Sequence, residues 1–175
     1  MELCSINWGS VADWASAVGS LSAVITALYL SRSAERIRLI GYCGPRTLLN
    51  TRGVQGDVLF ISVTNVGHRP TLIKGVGMRT GLFRKRFVII TMQKDDISDG
   101  LPNPISDGEE AKWGIPLDND REWLKDLCKT FIRSSLDIKT LRIIVSTSHG
   151  ERLVIRPEKS LREALRDIVY DQKSK

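Results

Sequence analysis

The chain is poor in the residues that build most metal and disulfide sites. Its 175 residues include two histidines, His68 and His149, and three cysteines, Cys4, Cys43 and Cys128. The cysteine count is odd and no C-x-x-C pair occurs, so neither a disulfide framework nor a zinc site is expected. The histidines lie far apart in the sequence, in predicted turns. We therefore expect no metal and no cofactor, and we expect the thiols to be reduced.

The sequence also lacks the motifs that mark many catalytic sites. It contains neither a G-x-x-x-x-G-K-[ST] phosphate loop nor a G-x-S-x-G nucleophile elbow. Cys128 lies on the apolar face of a predicted helix, which favours a place in the core over a nucleophilic role. The acidic loop between residues 95 and 110 lacks the ligand spacing of a calcium loop. These absences favour a non-catalytic protein.

Charge is missing from one long stretch near the start of the chain. Residues 14–31 contain no Asp, Glu, Lys or Arg, and they are flanked by Asp13 and Arg32. As a helix this stretch would span about 27 Å, close to the hydrocarbon thickness of a bilayer. Trp8 and Tyr29 lie near its ends, where aromatic side chains prefer the headgroup level. The pattern predicts a helix that can cross a membrane.

We expect two regions: a transmembrane, or otherwise hydrophobic, helix over residues 1–33 and a folded domain over residues 34–175. The alternative for the helix is a soluble one that packs on the domain, but such a helix normally presents charged residues to water. The basic residues that follow the helix are Arg32, Arg36 and Arg38. The positive-inside rule then predicts a single pass through the bacterial inner membrane, with the N-terminus outside and the domain in the cytoplasm.

The helix carries two different stripes. Its large residues recur at spacings of three and four and would face lipid: Trp14, Val18, Leu21, Ile25 and Leu28. Small residues recur at every fourth position, and these are Ala15, Gly19, Ala23 and Ala27. Small-xxx-small stripes let helices approach closely in a bilayer. The second stripe therefore predicts helix association, including a homo-oligomer formed through this helix.

The region after the helix is expected to be mainly β. Alternation and turn signals predict strands near residues 36–42, 57–64, 71–78, 82–92, 110–115, 140–147 and 151–155, with loops over 44–56 and 95–107. Helices are expected near 118–132, capped by Asp118, and near 160–171, opened by a capping box of Ser160 and Glu163. About seven strands with two added helices favour an immunoglobulin-like β-sandwich, preceded by the one N-terminal hydrophobic helix.

Arg84, Lys85 and Arg86 form the densest basic cluster of a chain with a formal net charge of +6. Charge on an edge strand discourages edge-to-edge aggregation, which is the simplest explanation of the cluster. The alternative is contact with an anionic partner, above all lipid headgroups. Nucleic acid is a less favoured partner, because no recognisable nucleic-acid-binding motif accompanies the charge.

Three segments carry a resemblance to other proteins. They are ISVTNVGHRPTLIKGVGMRTG (61–81), DGEEAKWGIPLD (107–118) and LRIIVSTSHGERLVI (141–155). Together they resemble a loose group of uncharacterised bacterial and prophage proteins, and the resemblance covers most of the chain. It implies one N-terminal membrane helix before a small sandwich domain. It carries over no catalytic residues and no activity.

These observations favour a membrane-anchored, non-catalytic binding module that holds or senses a protein partner at the inner membrane. One alternative is a phage-exclusion or defence effector that perturbs the membrane through helix oligomerisation. The other is a soluble nucleic-acid-binding protein, which the positive net charge would suit. The identity of the partner cannot be read from the residues.

Overall fold

The structure, a computed structural model, describes residues 10–50, 53–82, 84–117 and 121–173. The chain divides into two compact units, residues 1–36 and residues 37–175. The first contains the helix α1 (Val11–Ala34). The second is mainly β, and its described residues form eight strands and three further helices.

A capping box starts α1. The Ser10 hydroxyl accepts a hydrogen bond from the Asp13 backbone N–H at 3.2 Å, and the Ser10 backbone N–H donates to the Asp13 carboxylate at 2.8 Å. At the other end the Glu35 N–H donates to the carbonyl oxygen of Ser31. With 24 residues, α1 is about 36 Å long. It is long and apolar enough to span a membrane.

Two polar side chains in the middle of α1 are satisfied by the helix itself. The Ser22 hydroxyl donates to the carbonyl oxygen of Val18, and the Thr26 hydroxyl donates to the carbonyl oxygen of Ser22 at 2.8 Å. Such back-bonding removes the need for water at these hydroxyls. These two hydroxyls therefore need no further partner in an apolar environment.

The strands of the second unit are β1 (Leu39–Asn50), β2 (Gly53–Asn65), β3 (Thr71–Thr80), β4 (Arg86–Ile90), β5 (Asn103–Ile105), β6 (Glu110–Leu117), β7 (Arg142–Thr147) and β8 (Arg152–Ile155). They form two antiparallel sheets. The first has the order β1-β2-β6, and the second has the order β4-β3-β7-β8, with β5 also pairing with β3. The helices are α2 (Glu122–Thr130), α3 (Ser135–Thr140) and α4 (Lys159–Lys173).

Both sheets contribute to one hydrophobic core. Ile61 and Trp113 of the first sheet are fully buried, as are Ile143 and Val145 of the second. Burial alternates along most of β3, which is the pattern of a strand with one face on the core. Leu165 of α4 joins the same cluster. The helices therefore help to close a core whose largest contributors are the strands.

The Asp137 carboxylate ties α3 to the edge of the second sheet. Arg86 Nη2 of β4 lies 2.8 Å from Asp137 Oδ1. The backbone N–H groups of Arg133 and Ser134 donate to Asp137 Oδ2 at 3.0 and 3.1 Å. The Thr80 hydroxyl of β3 donates to the Asp137 carbonyl oxygen at 2.8 Å. One residue thus caps α3 and fixes it to two strands.

These contacts decide the charge state of Asp137. Burial alone would raise the pKa of its carboxyl, but the hydrogen bonds from Arg86, Arg133 and Ser134 outweigh burial and lower the pKa below the ordinary value. The carboxylate is therefore the form that stabilises the fold.

The predicted mainly β fold with an apolar N-terminal helix is confirmed, and several details differ. The described part of the chain has four helices, one more than predicted, because it also contains α3. The helix expected near 118–132 begins at Glu122, and its expected cap Asp118 lies outside the described residues. The capping box of Ser160 and Glu163 is wrong, since α4 already begins at Lys159. The expected loop over 95–107 contains the short strand β5.

The predicted loop over residues 44–56 is also wrong, because β1 extends to Asn50 and β2 begins at Gly53. Pro45 lies opposite Leu59 in this pairing. Proline is tolerated because β1 is an edge strand, where a missing N–H need not break a ladder. The pairing of β1 with β2 shifts register between Leu48 and Leu49. In β3, the pairing with β7 shifts register between Ile73 and Gly75.

Replacing Asp137 with Asn should destabilise the domain, because the amide loses the ion pair with Arg86 and weakens the cap of α3. We expect a loss of about 2 kcal/mol in the free energy of unfolding. Urea unfolding of the full-length protein in neutral detergent, followed by tryptophan fluorescence, measures it. Asp126→Asn is the control, since its ion pair with Lys129 at 3.3 Å is exposed and should contribute little.

The effect of Asp137→Asn should depend on pH. The folded-state pKa of Asp137 is lowered. Its carboxylate therefore stabilises the folded state fully at pH values above its unfolded-state pKa of about 3.9. This stabilisation is lost as the pH falls through the folded-state pKa. The difference between the two proteins should therefore be constant near neutral pH and shrink below about pH 4. A difference that grows on acidification would contradict this assignment.

Candidate functional site

The outer face of the second sheet is ordered in rows by the register of its strands. In β3 the residues that point away from the core are Gly75, Gly77 and Arg79, which alternate with the buried Val76 and Met78. Residues directly opposite one another in an antiparallel pair share a face of the sheet. The partners of these three residues in β4 and β7 therefore complete each row.

The row through Gly77 forms an apolar groove. Gly77 pairs with Ile89 of β4 and with Ile144 of β7, and Ile144 in turn pairs with Val154 of β8. Since glycine has no side chain, the floor of the groove is backbone and its walls are apolar. The groove has a volume of about 570 Å³. Ile89 is 84% exposed, which makes it a prominent apolar side chain at the surface.

The groove has apolar and basic parts. Phe87, which is 59% exposed, lines it beside Ile89 on β4. Lys74 and Arg152 also line it, and Arg152 lies opposite Ser146 in the pairing of β7 with β8. A surface with this composition suits a ligand that combines an apolar part with negative charge.

Gly77 is required by the close approach of β4. A Cβ atom at position 77 would lie 2.5 Å from the carbonyl oxygen of Val88, which is backbone and cannot move aside easily. A Cβ atom at Gly75 would meet nothing within 4 Å. The two outward-facing glycines of β3 thus differ in the space around them, and only position 77 lacks room for a side chain.

A row of arginines crosses the sheet beside the groove. Arg79 of β3 lies opposite Arg142 of β7. Arg156 follows Ile155, whose partner is Ile143, and therefore comes next to Arg142. Like charges placed opposite each other destabilise a sheet. The row is a departure from the usual cross-strand pairing of opposite charges.

Arg142 is held in place by the end of α3. Its Nη1 donates to the carbonyl oxygens of Leu141 at 2.7 Å and Lys139 at 3.2 Å. The negative end of a helix dipole favours a cation there. Burial lowers the pKa of Arg142, and the charges of Arg156, Arg79 and Arg162 lower it further.

Arg162 of α4 completes the group. Its Nε is buried and has no hydrogen-bond partner among the described residues. We call the set Arg79, Arg142, Arg156 and Arg162 the arginine cluster. Within the described part of the chain, none of the four forms an ion pair with a carboxylate. The cluster therefore concentrates positive charge without internal compensation.

The basic residues that the sequence pointed to lie elsewhere. Arg84 and Lys85 are exposed in the connection between β3 and β4. Arg86 is paired with Asp137 at 2.8 Å, and its guanidinium lies 5.7 Å from the centre of the Phe131 ring. Contact with an anionic partner through this segment would therefore depend chiefly on Arg84 and Lys85.

The residues expected to act at a membrane belong to α1 or follow it. Every member of the small-residue stripe is exposed within its own unit: Ala15, Gly19, Ala23 and Ala27. No atom lies within 4 Å of a Cβ atom placed on Gly19. Arg32 lies in the last turn of α1, Arg36 follows the C-cap, and Arg38 directly precedes β1.

The two described cysteines are buried and unreactive in character. Burial, followed by the nearby charge of Glu158, raises the pKa of Cys43 to about 12. Burial raises the pKa of Cys128 to about 11. The predicted core position of Cys128 is confirmed. Neither thiol forms the thiolate that nucleophilic catalysis needs near neutral pH.

Comparison of the chain with protein-family models, with curated proteins and with solved structures finds no match. The resemblance to uncharacterised prophage proteins accordingly stays a prediction.

Gly77 and Gly75 form a matched pair for testing the groove. Gly77→Ala should lower the free energy of unfolding by about 1–3 kcal/mol, because the added methyl group collides with the Val88 carbonyl oxygen. Gly75→Ala should change it by less than about 0.5 kcal/mol. Urea unfolding of both full-length variants in neutral detergent measures the difference. Equal effects at the two positions would contradict the packing described for β4.

Proposed function

We propose that this chain is a single-pass membrane protein whose β domain is a non-catalytic binding module at the cytoplasmic face of the bacterial inner membrane. The observation that carries the proposal is α1, a helix of 24 residues with no charge between Trp14 and Ser31. Within its own unit the side chains of Val18, Leu21 and Ile25 are all more than half exposed. A bilayer would remove these apolar surfaces from water.

The orientation follows from the flanking charges. Arg32 lies in the last turn of α1 and Arg36 follows the C-cap, whereas the N-terminal side presents Asp13. Basic residues are retained on the cytoplasmic side during insertion. This favours a cytoplasmic domain, and the membrane lipid is then the first partner of the chain. The exposed small-residue stripe of α1 supports a homo-oligomer formed within the bilayer.

We further propose that the domain is an immunoglobulin-like sandwich. In that fold the first two strands share a sheet with a later strand, while the third strand lies in the other sheet with the last two. Here β1 and β2 share a sheet with β6, and β3 lies in the other sheet with β7 and β8. The shared core of the two sheets supports the same arrangement. Such domains serve many unrelated functions, so the binding face must be argued from its residues.

The outer face of the second sheet is the proposed binding face. It combines the apolar groove over Gly77 with exposed Phe87 and Ile89 and with the arginine cluster. Exposed apolar side chains next to uncompensated charge typically mark interaction sites. The face is built on paired strands and is therefore rigid enough to present its side chains in fixed positions.

Membrane fractionation with a carbonate wash tests the anchor. The full-length protein should stay in the washed pellet, whereas a chain lacking residues 1–33 should be released. Leu21→Arg combined with Ile25→Arg should also shift the full chain to the supernatant, because each charge at a helix centre costs roughly 3 kcal/mol on insertion. Leu136→Arg is the matched control, since Leu136 is exposed on α3 in the domain. A full-length protein that washes off the membrane would rule out the anchor.

A C-terminal fluorescent-protein fusion tests the orientation. A reporter that folds only in the cytoplasm should fluoresce when it is fused after Lys175, because Arg32 and Arg36 hold that end inside. Replacing Arg32, Arg36 and Arg38 together with Gln should reduce the fluorescence, whereas replacing Arg84 and Lys85 should not. A dark fusion that is nevertheless inserted in the membrane would place the domain outside.

A further inference from the structure

We infer that the arginine cluster is a binding site for a phosphate monoester whose organic part lies over the apolar groove. The inference deepens the proposed function, since it rests on the outer face of the second sheet being the binding face. It does not depend on the anchor.

The first argument is the distribution of charge. Arg79 and Arg142 are cross-strand partners, and Arg156 comes next to Arg142 on the neighbouring strand. A fold does not benefit from such a row unless something negative compensates it. A phosphate monoester carries close to two negative charges and three strong acceptor oxygens. It can therefore accept several guanidinium groups at one point, and arginine matches phosphate in a bidentate geometry.

The second argument is that part of the cluster is held in position beforehand. Hydrogen bonds from Arg142 to the carbonyl oxygens of Leu141 and Lys139 fix its side chain at the end of α3. A side chain that is already ordered loses less entropy on binding. Arg162 of α4 lies close enough for its charge to act on Arg142.

The third argument is the spacing between the cluster and the groove. Gly77 and Arg79 are two residues apart in β3, which corresponds to about 7 Å along the strand. A phosphate held at Arg79 would therefore place the adjoining part of its ester over the glycine floor, between Phe87 and Ile144. The apolar walls favour an aromatic or aliphatic group there.

The compactness of the cluster distinguishes a monoester from a nucleic acid. Proteins that bind single strands without a sequence motif spread their charge along a groove that follows the backbone. Here three of the arginines lie side by side in one row. The arrangement concentrates charge at one point, as a terminal phosphate requires.

Thermal unfolding of the full-length protein in neutral detergent tests the site, with phenyl phosphate and inorganic phosphate as probes. Both should raise Tm, since a ligand that binds the folded state stabilises it. Phenyl phosphate should reach a shift of about 3 °C at roughly tenfold lower concentration, because its ring occupies the groove. Sodium chloride at matched ionic strength is the control. An equal rise with sodium chloride would mean charge screening alone and would overturn the inference.

Arg156→Gln and Arg79→Gln test the residues, with the exposed Arg133→Gln as the matched control. Without ligand, the two cluster variants should melt no lower than the natural protein, because each relieves repulsion between like charges. With phenyl phosphate they should lose most of the Tm shift, whereas Arg133→Gln should keep it. A full shift in both cluster variants would overturn the inference. The ligand-free Tm separates loss of binding from misfolding.

Two further experiments distinguish a lipid phosphate monoester from a soluble one. Phosphatidic acid carries a monoester headgroup, so a cluster-dependent Tm rise in phosphatidic acid nanodiscs over phosphatidylcholine nanodiscs would support the site with a lipid ligand. A response to phenyl phosphate alone would support it with a soluble ligand. Cluster-dependent binding of a single-stranded oligonucleotide more tightly than phenyl phosphate would overturn the monoester. If the full-length protein washes off membranes but keeps the Tm shift with phenyl phosphate, the proposed anchor is wrong and the binding site is still supported.

Discussion

The close approach of the Gly77 backbone to the carbonyl oxygen of Val88 sets the geometry of the second sheet. Because position 77 has no side chain, β4 can lie tightly against β3 while Ile89 and Phe87 project outward beside it. The same absence leaves the floor of the groove open. The strand that allows this contact also places Arg79 opposite Arg142, so the groove and the arginine row follow from one register. A one-residue slip of β3 would turn both toward the core.

The two units are stabilised by different physics. The domain buries apolar residues from both sheets and three helices in one core, so it draws its stability from the removal of surface from water. The helix α1 has no such core within its own unit, and its described hydroxyl donors at Ser22 and Thr26 are satisfied along its own backbone. Hydroxyls that are satisfied along their own helix are compatible with an apolar solvent.

Prediction from the sequence was most successful where one pattern of residues extended over a whole element. The uncharged run before Arg32 is long enough to predict α1, and the β-branched and aromatic residues of DVLFISVT predict residues 57–64 of β2. Prediction failed where tertiary context overrides local preference. Pro45 and the nearby glycines suggest a loop, but an edge strand tolerates proline. The short helix α3 escaped notice because six residues carry little periodic signal.

The candidate site was harder to anticipate than the fold. The residues of the arginine cluster are scattered from position 79 to position 162, and only strand pairing brings them together. The run Arg84–Lys85–Arg86 is conspicuous in the sequence, yet Arg86 is engaged by Asp137. In the structure Arg79 and Arg142 are partly exposed positions of their strands. Without the register, nothing in the sequence shows that they face each other.

The edge of the first sheet at β1 bears on whether copies of the domain can join edge to edge. An edge strand with free backbone donors invites a second chain to extend the sheet. In β1, Pro45 removes one such donor and the irregularity at Leu48 and Leu49 interrupts the ladder. Continuous sheet growth from copy to copy along β1 is therefore obstructed. This strand therefore does not offer a template on which copy after copy could extend into a fibre.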